Sequence, residues 1–241
     1  MKKDKIFAKK NSTIKPFEFN DEVAEVFTDM LHRSIPSYPL TINTIKLLTT
    51  KFIQPNSNCY DLGCSLGEAT FAIEEGITID GCKIIAIDKS SAMTKKFHNK
   101  LNKKTVSTPI TIINDDVINL NISNASIVVM NYTLQFIDID LRQKILDKIY
   151  NGLKPGGLFI LSEKIGNNDK IINDLLIELH HEYKYKNSYS HIEISQKRTA
   201  LEKVLICDDI STHNQRLEIA GFTNYGIWLQ HFNFLSYVAV K

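Results

Sequence analysis

The stretch Tyr60-Asp61-Leu62-Gly63-Cys64-Ser65-Leu66-Gly67 most constrains the fold of this chain. An acidic residue follows an apolar run, small residues come next, and a helical pattern begins at Glu68. In α/β proteins such a turn brings backbone amides to a ligand at the carboxyl end of a strand, and glycines there remove Cβ atoms that would keep the ligand away. The stretch 61–67, which we call the glycine turn, therefore predicts an α/β protein with a ligand at a strand end.

Apolar runs alternate with helical patterns on both sides of the glycine turn. Strands are predicted at 59–62, 83–88, 109–113, 126–131 and 158–162, and helices at 67–76, 90–101 and 139–153. Nearly continuous apolar strands separated by helices are typical of a parallel sheet that is covered on both faces. We therefore predict a Rossmann-like, doubly wound fold with a mostly parallel sheet.

The segments outside this alternation are predicted to extend the same domain, which would span 1–241. Residues 1–55 indicate a flexible arm followed by two helices, and the polar helical segment 168–203 indicates an insertion over the strand ends. The apolar segments 227–232 and 234–240 are separated only by one residue. They predict either a tight antiparallel pair at the sheet edge or one long bulged strand.

Composition excludes several classes of protein. Hydrophobic residues at 43% and charged residues at 23% are ordinary for a globular protein, and a net charge of +2 falls short of the basic surface that grips nucleic acid. The four cysteines lack Cys-x-x-Cys spacing, and no apolar run approaches the ~18 residues of a membrane span. We expect a soluble cytoplasmic protein without direct nucleic-acid or membrane contact. Neighbouring His180 and His181 face different ways on a helix, so we predict no metal.

Acidic residues also follow the next two predicted strands. Asp88 closes the second strand, where a carboxylate can accept both hydroxyl hydrogens of a ribose. Asp116 follows the third strand and could meet an adenine amino group while Val117 packs on the ring. The glycine turn lacks the Lys-Ser/Thr of a P-loop. Taken singly, each acid could equally cap a helix, and the turn could be purely structural; together they favour a ligand with ribose and adenine.

Longer blocks of sequence carry a resemblance to known families. The glycine turn, Asp88, Asp116 and Lys154-Pro155-Gly156-Gly157 resemble the class I S-adenosylmethionine-dependent methyltransferase superfamily. Within it, the chain resembles the carboxy-S-adenosyl-L-methionine synthase family over nearly its whole length. The blocks that carry this narrower resemblance are Glu22–Arg33, Ser34–Tyr38, Cys82–Asp88, Asn131–Phe136 and Glu193–Arg198.

The resemblance implies an unusual reaction. Members of the family use S-adenosylmethionine and prephenate to make carboxy-S-adenosylmethionine and phenylpyruvate, so that carbon dioxide from prephenate is captured on the sulfonium methyl carbon. This chemistry needs a dry pocket and a cation for the new carboxylate. The resemblance assigns that cation to Arg198, which could otherwise pair with Glu202 one helical turn later. It also implies a homodimer, and a separate tRNA carboxymethyltransferase that uses the product on the wobble uridine.

The contacts to S-adenosylmethionine are implied residue by residue. The resemblance assigns the methionine carboxylate to Tyr38, the methionine portion to the backbone of Gly63, Cys64 and Ser65, the ribose to Asp88 and Lys89, the adenine to Asp116 and Val117, and a further contact to Asn131 after the fourth strand. The resemblance also counts Arg198 among these contacts, because it would bind the carboxylate of the product. Tyr189 and His191 are candidates for contacts with prephenate.

Two other functions stay open from the sequence alone. The first is an ordinary S-adenosylmethionine-dependent methyltransferase that acts on a small molecule or tRNA. The stretch Asn131-Tyr132-Thr133-Leu134 lacks the Asn/Asp-Pro-Pro-Tyr turn of amine-directed enzymes, which argues against that branch only. The second is a scaffold that binds S-adenosylmethionine without turnover.

Overall fold

One sheet of seven strands organises the protein, and its order is β3-β2-β1-β4-β5-β7-β6. The structure is a computed structural model that describes residues 2–241. The strands are β1 (Asn58–Leu62), β2 (Lys83–Ile87), β3 (Ile110–Ile113), β4 (Ala125–Asn131), β5 (Leu153–Lys164), β6 (Asn224–His231) and β7 (Phe234–Val240). Strands β1 to β5 run parallel, whereas β7 and β6 pair antiparallel at one edge. The predicted Rossmann-like fold class is confirmed.

Eight α-helices cover the sheet and its strand ends in the part of the chain that the structure describes. They are α1 (Asp21–Ser34), α2 (Tyr38–Phe52), α3 (Glu68–Gly76), α4 (Ser91–Leu101), α5 (Ile139–Gly152), α6 (Lys170–Lys186), α7 (His191–Leu201) and α8 (Ile210–Ala220). Helices α6 and α7 lie in the segment 168–203 that interrupts the strand and helix alternation. None of the helices within residues 2–241 is long and apolar enough to cross a membrane.

The central strand β4 shows why the sheet is buried on both faces. Val128 and Met130 pack into one core with side chains of α5 and α8, while Ile127 and Val129 pack into another with α2 and α3. Side chains alternate between the faces of a strand, so a continuous apolar run supplies both cores at once. The strand order reverses between β1 and β4, and in such sheets this switch point opens a crevice for ligands.

The C-terminal strands decide between the two arrangements that the sequence left open, and β5 is longer than predicted. The chain turns at Phe232 and Asn233, so β6 and β7 form the tight antiparallel pair rather than one bulged strand. Strand β5 begins at Leu153, before the predicted 158–162, because Leu153 pairs with Ala125 of β4 and because Gly156 and Gly157 exchange backbone hydrogen bonds with Lys241, which follows β7. The pairing partner is distant in sequence, so local patterns did not reveal it.

The N-terminal segment is packed against α7 rather than extended as the flexible arm that the sequence suggested. Asn11 N–H donates to Gln196 Oε1 at 2.7 Å, and Gln196 Nε2 donates to the carbonyls of Phe7 and Lys9, each at 2.8 Å. Further along the segment, Phe17 N–H donates to the Ala200 carbonyl at 2.9 Å. These contacts contradict the expected flexibility of the arm, whereas Phe7, Phe17 and Phe19, which the sequence suggested as anchors, do pack against the core. The segment 2–19 is therefore a strap over α7.

We expect Gln196→Ala to loosen this strap. The change removes three hydrogen bonds between Gln196 and the backbone of the strap, at a cost of about 1–3 kcal/mol in the free energy of unfolding. Chemical denaturation measures that loss, and limited trypsin digestion should cut the strap faster at its lysines. The exposed neighbour Ser195→Ala is the control and should match the wild type in both tests. Equal stability and equal cleavage of the two variants would contradict the strap.

Candidate functional site

A cavity of about 950 Å³ opens at the carboxyl ends of the parallel strands, beneath α6 and α7. Its size is at the upper end of the range for small-molecule sites. All residues that the sequence analysis assigned to contacts with S-adenosylmethionine or with the new carboxylate line this cavity. They are Tyr38, Gly63, Cys64, Ser65, Asp88, Lys89, Asp116, Val117, Asn131 and Arg198.

The glycine turn is held against the end of β2 by backbone hydrogen bonds. The amides of Gly63 and Cys64 both donate to the Ile87 carbonyl, at 2.8 and 3.0 Å. Gly63 has a φ of +84°, and a Cβ there would lie 2.2 Å from Thr133 Oγ1. Both the left-handed backbone and the close approach to Thr133 therefore require glycine at this position.

Asp88 fixes the turn and keeps room for a ligand. Its Oδ2 accepts the Ser65 N–H at 2.9 Å and its Oδ1 accepts the Ser90 N–H at 2.8 Å. Burial raises the pKa of the carboxyl above its ordinary value, while these backbone hydrogen bonds oppose the rise. A carboxylate has about four acceptor positions, so two remain for other donors. The geometry suits the paired hydroxyls of a ribose.

Two buried acceptor oxygens on residues that line the cavity have no hydrogen-bond partner within residues 2–241. They are Asp61 Oδ1 and Asn131 Oδ1. The other oxygen of Asp61 accepts the Thr70 hydroxyl at 2.5 Å, and burial raises the pKa of Asp61 to about 7. Buried polar groups are nearly always satisfied, so unpartnered acceptors indicate a ligand with N–H or O–H donors. The sequence analysis placed Asp61 at a strand end but assigned it no contact with the ligand.

The cavity lining also includes aromatic and acidic side chains. Asp116 Oδ1 accepts the Ile118 N–H at 3.1 Å and begins a short 3-10 helix, Val117–Asn119. The rings of Phe19 and Phe136 meet edge to face at 5.1 Å between centroids, and both line the cavity. Asp116 therefore acts as a cap and lines the site as well. Aromatic rings and a carboxylate in the lining of one cavity can hold a flat heterocycle with an amino group.

Tyr38 and Lys89 occupy contrasting positions in the lining. Tyr38 is the first residue of α2 and is buried, and its ring lies edge to face with His32 at 5.3 Å. Burial, with the nearby Glu68 carboxylate, raises the pKa of Tyr38 well above its ordinary value, so the hydroxyl stays a donor. Lys89 is exposed at the cavity rim.

Cationic side chains from β5, α6 and α7 line the cavity beneath the helical insertion: Lys164, Lys184, Lys197 and Arg198. Lys197 lies 3.8 Å from Asp4 Oδ2 and donates to Ser34 Oγ at 3.2 Å. Within residues 2–241, Arg198 has no carboxylate within 4.0 Å, so the alternative pairing with Glu202 is not formed. We name Lys164, Lys184 and Arg198 the cationic triad. The sequence analysis missed both lysines: Lys184 lies on a polar helix, where lysine ordinarily points to solvent, and Lys164 lies just beyond the strand predicted at 158–162.

The histidines beside the triad are neutral at pH 7. Burial, with Lys184 and other nearby cations, lowers the pKa of His181 to about 4 and that of His180 well below its ordinary value. His180 Nε2 donates to the Ser34 carbonyl at 2.8 Å. No group of three or more His, Cys, Asp or Glu side chains among residues 2–241 is arranged to hold a metal ion.

The two candidates for contacts with prephenate lie outside this cavity. The Tyr189 hydroxyl donates to the buried Asp4 carboxylate at 2.6 Å, within a network that joins the strap to α1. His191 stacks on Tyr185 at 4.7 Å and lines a separate cavity of about 240 Å³ together with Arg198. Neither residue therefore lines the large cavity, although Arg198 reaches both.

Comparisons with known proteins agree with the fold and extend the likeness over the whole chain. The family model described as a methyltransferase domain matches residues 60–157. A carboxy-S-adenosyl-L-methionine synthase of Colwellia psychrerythraea is 48% identical over 238 residues, which cover 99% of this chain and 98% of that protein. The protein of the same name from Vibrio parahaemolyticus is 47% identical, with coverage of 99% and 97%.

A solved structure supports the same fold at much lower sequence identity. Human N-acetylserotonin methyltransferase in complex with S-adenosylmethionine superposes with a TM-score of 0.62 at 16% identity. The match covers 92% of this chain and 55% of the human protein. Likeness at this identity speaks for the fold alone.

We expect Gly63→Ala to destabilise the protein through the glycine turn. A left-handed alanine and a Cβ that overlaps Thr133 should together lower the free energy of unfolding by about 2–5 kcal/mol. The control is Gly226→Ala on β6, where a Cβ would meet nothing within 4 Å, and we expect a change within about 0.5 kcal/mol. Denaturant unfolding of the two variants measures the difference. Equal stabilities would show that the turn does not need glycine.

Proposed function

The chain belongs to the carboxy-S-adenosyl-L-methionine synthase family, and from that premise we propose the reaction that it catalyses. It converts S-adenosylmethionine into carboxy-S-adenosylmethionine. Prephenate supplies the carboxyl group and leaves as phenylpyruvate. The near full-length identity of 48% to a synthase of that name is the basis for this proposal.

The observation that carries the proposal is the position of Arg198. It stands on α7, far along the chain from the glycine turn, yet both line one cavity. An arginine without a carboxylate partner can bind a new carboxylate through two parallel hydrogen bonds. At ~4 Å and an effective dielectric constant near 20, such a contact has a Coulomb energy of about 4 kcal/mol before desolvation is subtracted. A carboxylate formed in this cavity would therefore be held.

The rest of the lining suits S-adenosylmethionine. Asp61 and Asn131 offer acceptor oxygens to the ammonium group of the methionine portion, and Asp88 offers its free acceptor positions to the ribose. The aromatic rings of the lining and Asp116 suit the adenine. When bound, S-adenosylmethionine supplies a sulfonium methyl carbon that can accept the carboxyl group. We assign Tyr38, Lys89 and the backbone of Gly63, Cys64 and Ser65 to the remaining contacts.

Water must be kept from the reaction because carbon dioxide has to be captured before it escapes. Aromatic side chains form much of the cavity wall, among them Phe19, Phe136 and Phe234. Arg198 stands at the exposed side of this wall, and the insertion lies over the strand ends. We propose that the insertion excludes bulk water while Arg198 binds the transferred group.

We further propose that two copies of the chain associate through α6. Its outer face carries Ile171, Leu175 and Leu179 at spacings of four residues, and they are 79%, 47% and 37% exposed. An apolar stripe of this kind marks an interaction surface, and closed two-fold dimers are the commonest soluble assembly. The product would then leave for a separate tRNA carboxymethyltransferase in the cytoplasm. This chain, with its net charge of +2, need not touch the RNA.

The reaction is tested by incubating the protein with S-adenosylmethionine and prephenate and separating the nucleosides by mass spectrometry. We expect carboxy-S-adenosylmethionine and an equal amount of phenylpyruvate. Arg198→Ala should lower kcat/KM by about 100-fold, or about 2.7 kcal/mol, because the new carboxylate loses its cation. Lys203→Ala, an exposed cation outside the cavity, should match the wild type.

Other outcomes of this assay would overturn the proposal. Unimpaired carboxylation by Arg198→Ala would remove the central assignment. Transfer of the methyl group to cellular tRNA, with prephenate untouched, would support an ordinary methyltransferase. Tight binding of S-adenosylmethionine without consumption of either compound would support a scaffold.

The proposed dimer is tested by light scattering after gel filtration. We expect the wild type at twice the mass of one chain, and Leu175→Glu as a monomer because a charge would be buried in the stripe. Glu178→Ala changes an exposed polar residue of the same helix and should stay dimeric. A monomeric wild type at micromolar concentration would refute the dimer.

A further inference from the structure

The lysines of the cationic triad stand out because neither is needed for the reaction as proposed so far. Lys164 is the last residue of β5, and Lys184 lies in the last turn of α6. Both line the cavity together with Arg198. Within residues 2–241, neither lysine donates a side-chain hydrogen bond or has a carboxylate within 4.0 Å. They are therefore two further positive charges that face one space without a counter-ion.

Burial makes this arrangement costly in the free protein. Lys184 is only 7% exposed, and lysine is almost never buried to this extent without a partner. Burial, followed by the nearby Lys164, Lys197 and Arg198, lowers the pKa of Lys184 to about 7. The pKa of Lys164 is lowered too, by burial above all. An anion between the lysines would relieve both the desolvation and the mutual repulsion.

Lys197 has a different role although it lines the same cavity. It is held by Asp4 and by Ser34 Oγ, and its ammonium group lies 5.5 Å from the centre of the Tyr189 ring. The positive charge of Lys197 therefore interacts with the network that anchors the strap. The charges left for a ligand are those of the triad.

We propose that Lys164 and Lys184 form a carboxylate subsite for the co-substrate, separate from Arg198 and specific for the carboxylate that the co-substrate retains. This inference rests on the proposed function. Prephenate is a dicarboxylate, of which one carboxylate is transferred and the other stays in phenylpyruvate. Within the triad, Arg198 then binds the transferred carboxylate. Lys164 and Lys184 bind the carboxylate that the co-substrate retains.

The chemistry of the transfer explains why the lysines should hold the retained group. The bond between ring and carboxylate breaks, its electron pair enters the ring as the ring hydroxyl departs, and hydroxide and the methyl proton leave as water. The departing carboxylate thereby becomes neutral carbon dioxide before it bonds to the methyl carbon. Cations that held that group tightly would stabilise the ground state more than the transition state and slow the reaction. An anchor on the retained carboxylate carries no such penalty.

The test compares Lys184→Met, Lys184→Arg and the wild type, with S-adenosylmethionine saturating and prephenate varied. We expect Lys184→Met to raise the KM for prephenate by about 10- to 100-fold, since an ion pair is lost, with the Kd for S-adenosylmethionine unchanged. Lys184→Arg keeps the charge and should restore most of the affinity. Lys186→Met is the control, since Lys186 is exposed on the same helix and lies outside the cavity.

Two readouts separate the subsite from a merely structural role. Lys184→Met should melt at or above the temperature of the wild type, because a buried unpaired charge is removed. In the wild type the KM for prephenate should rise as the pH passes above 7, where Lys184 loses its proton, and in Lys184→Arg this rise should disappear. The charged and titratable groups that face Lys184 are Lys164 on β5, Lys197 and Arg198 on α7, and His180 and His181 on α6. These groups are the same in the wild type and in Lys184→Arg, so a difference in the pH dependence of KM between the two proteins is due to residue 184.

A wild-type KM for prephenate in Lys184→Met would overturn the proposal, as would a loss of affinity with Lys186→Met. Calorimetric titration of prephenate into the protein saturated with S-adenosylhomocysteine tests the subsite without turnover. Binding that depends on Lys184, in a protein that makes no carboxylated product, would support the subsite and refute the proposed reaction. Product formation by the wild type, together with unchanged prephenate binding in Lys184→Met, would support the proposed reaction and refute the subsite.

Discussion

The hydrogen bonds of Asp88 join the two strands on which the site depends. One carboxylate oxygen accepts the Ser65 amide of the glycine turn, and the other accepts the Ser90 amide just before α4. Hydrogen bonds to an ionised carboxylate are roughly twice as strong as those between neutral groups. Through Asp88, the ends of β1 and β2 and the start of α4 therefore share one fixed geometry. The backbone of the turn is positioned before any ligand arrives.

A second network fixes the other half of the cavity from a distance. The strap is hydrogen-bonded to α7 through Gln196, and the buried Asp4 accepts from Tyr189 and lies near Lys197. Arg33 of α1 stacks on the Tyr189 ring at 3.8 Å. These contacts hold α7 in place. Arg198, the residue after Lys197 on this helix, lines the cavity. Through Asp4, the strap offsets the buried charge of Lys197.

Sequence reasoning succeeded where structure follows from local pattern. Continuous apolar runs such as 126–131 predicted parallel strands, and the switch point then brought Asp61, Asp88 and Asp116 to one cavity. It failed where a residue's environment is set by distant partners. The strap contacts α7 across about 185 residues of sequence, and β5 is lengthened by pairing with Ala125 and Lys241. The roles of the individual site residues stay predictions, because a shared cavity does not establish a contact.

The burial of Lys184 shows why composition could not reveal the anion subsite. A net charge of +2 spread over 241 residues indicates no strong field at the surface. Charge acts more strongly where water is excluded, since the Coulomb energy of a pair grows several-fold as the effective dielectric constant falls from that of water to about 20. A few cations from β5, α6 and α7 can therefore select a dicarboxylate in a nearly neutral protein. Two of the three cations of the triad, Lys184 and Arg198, come from the insertion, so this segment supplies most of the charge that the proposed subsite and the proposed reaction require.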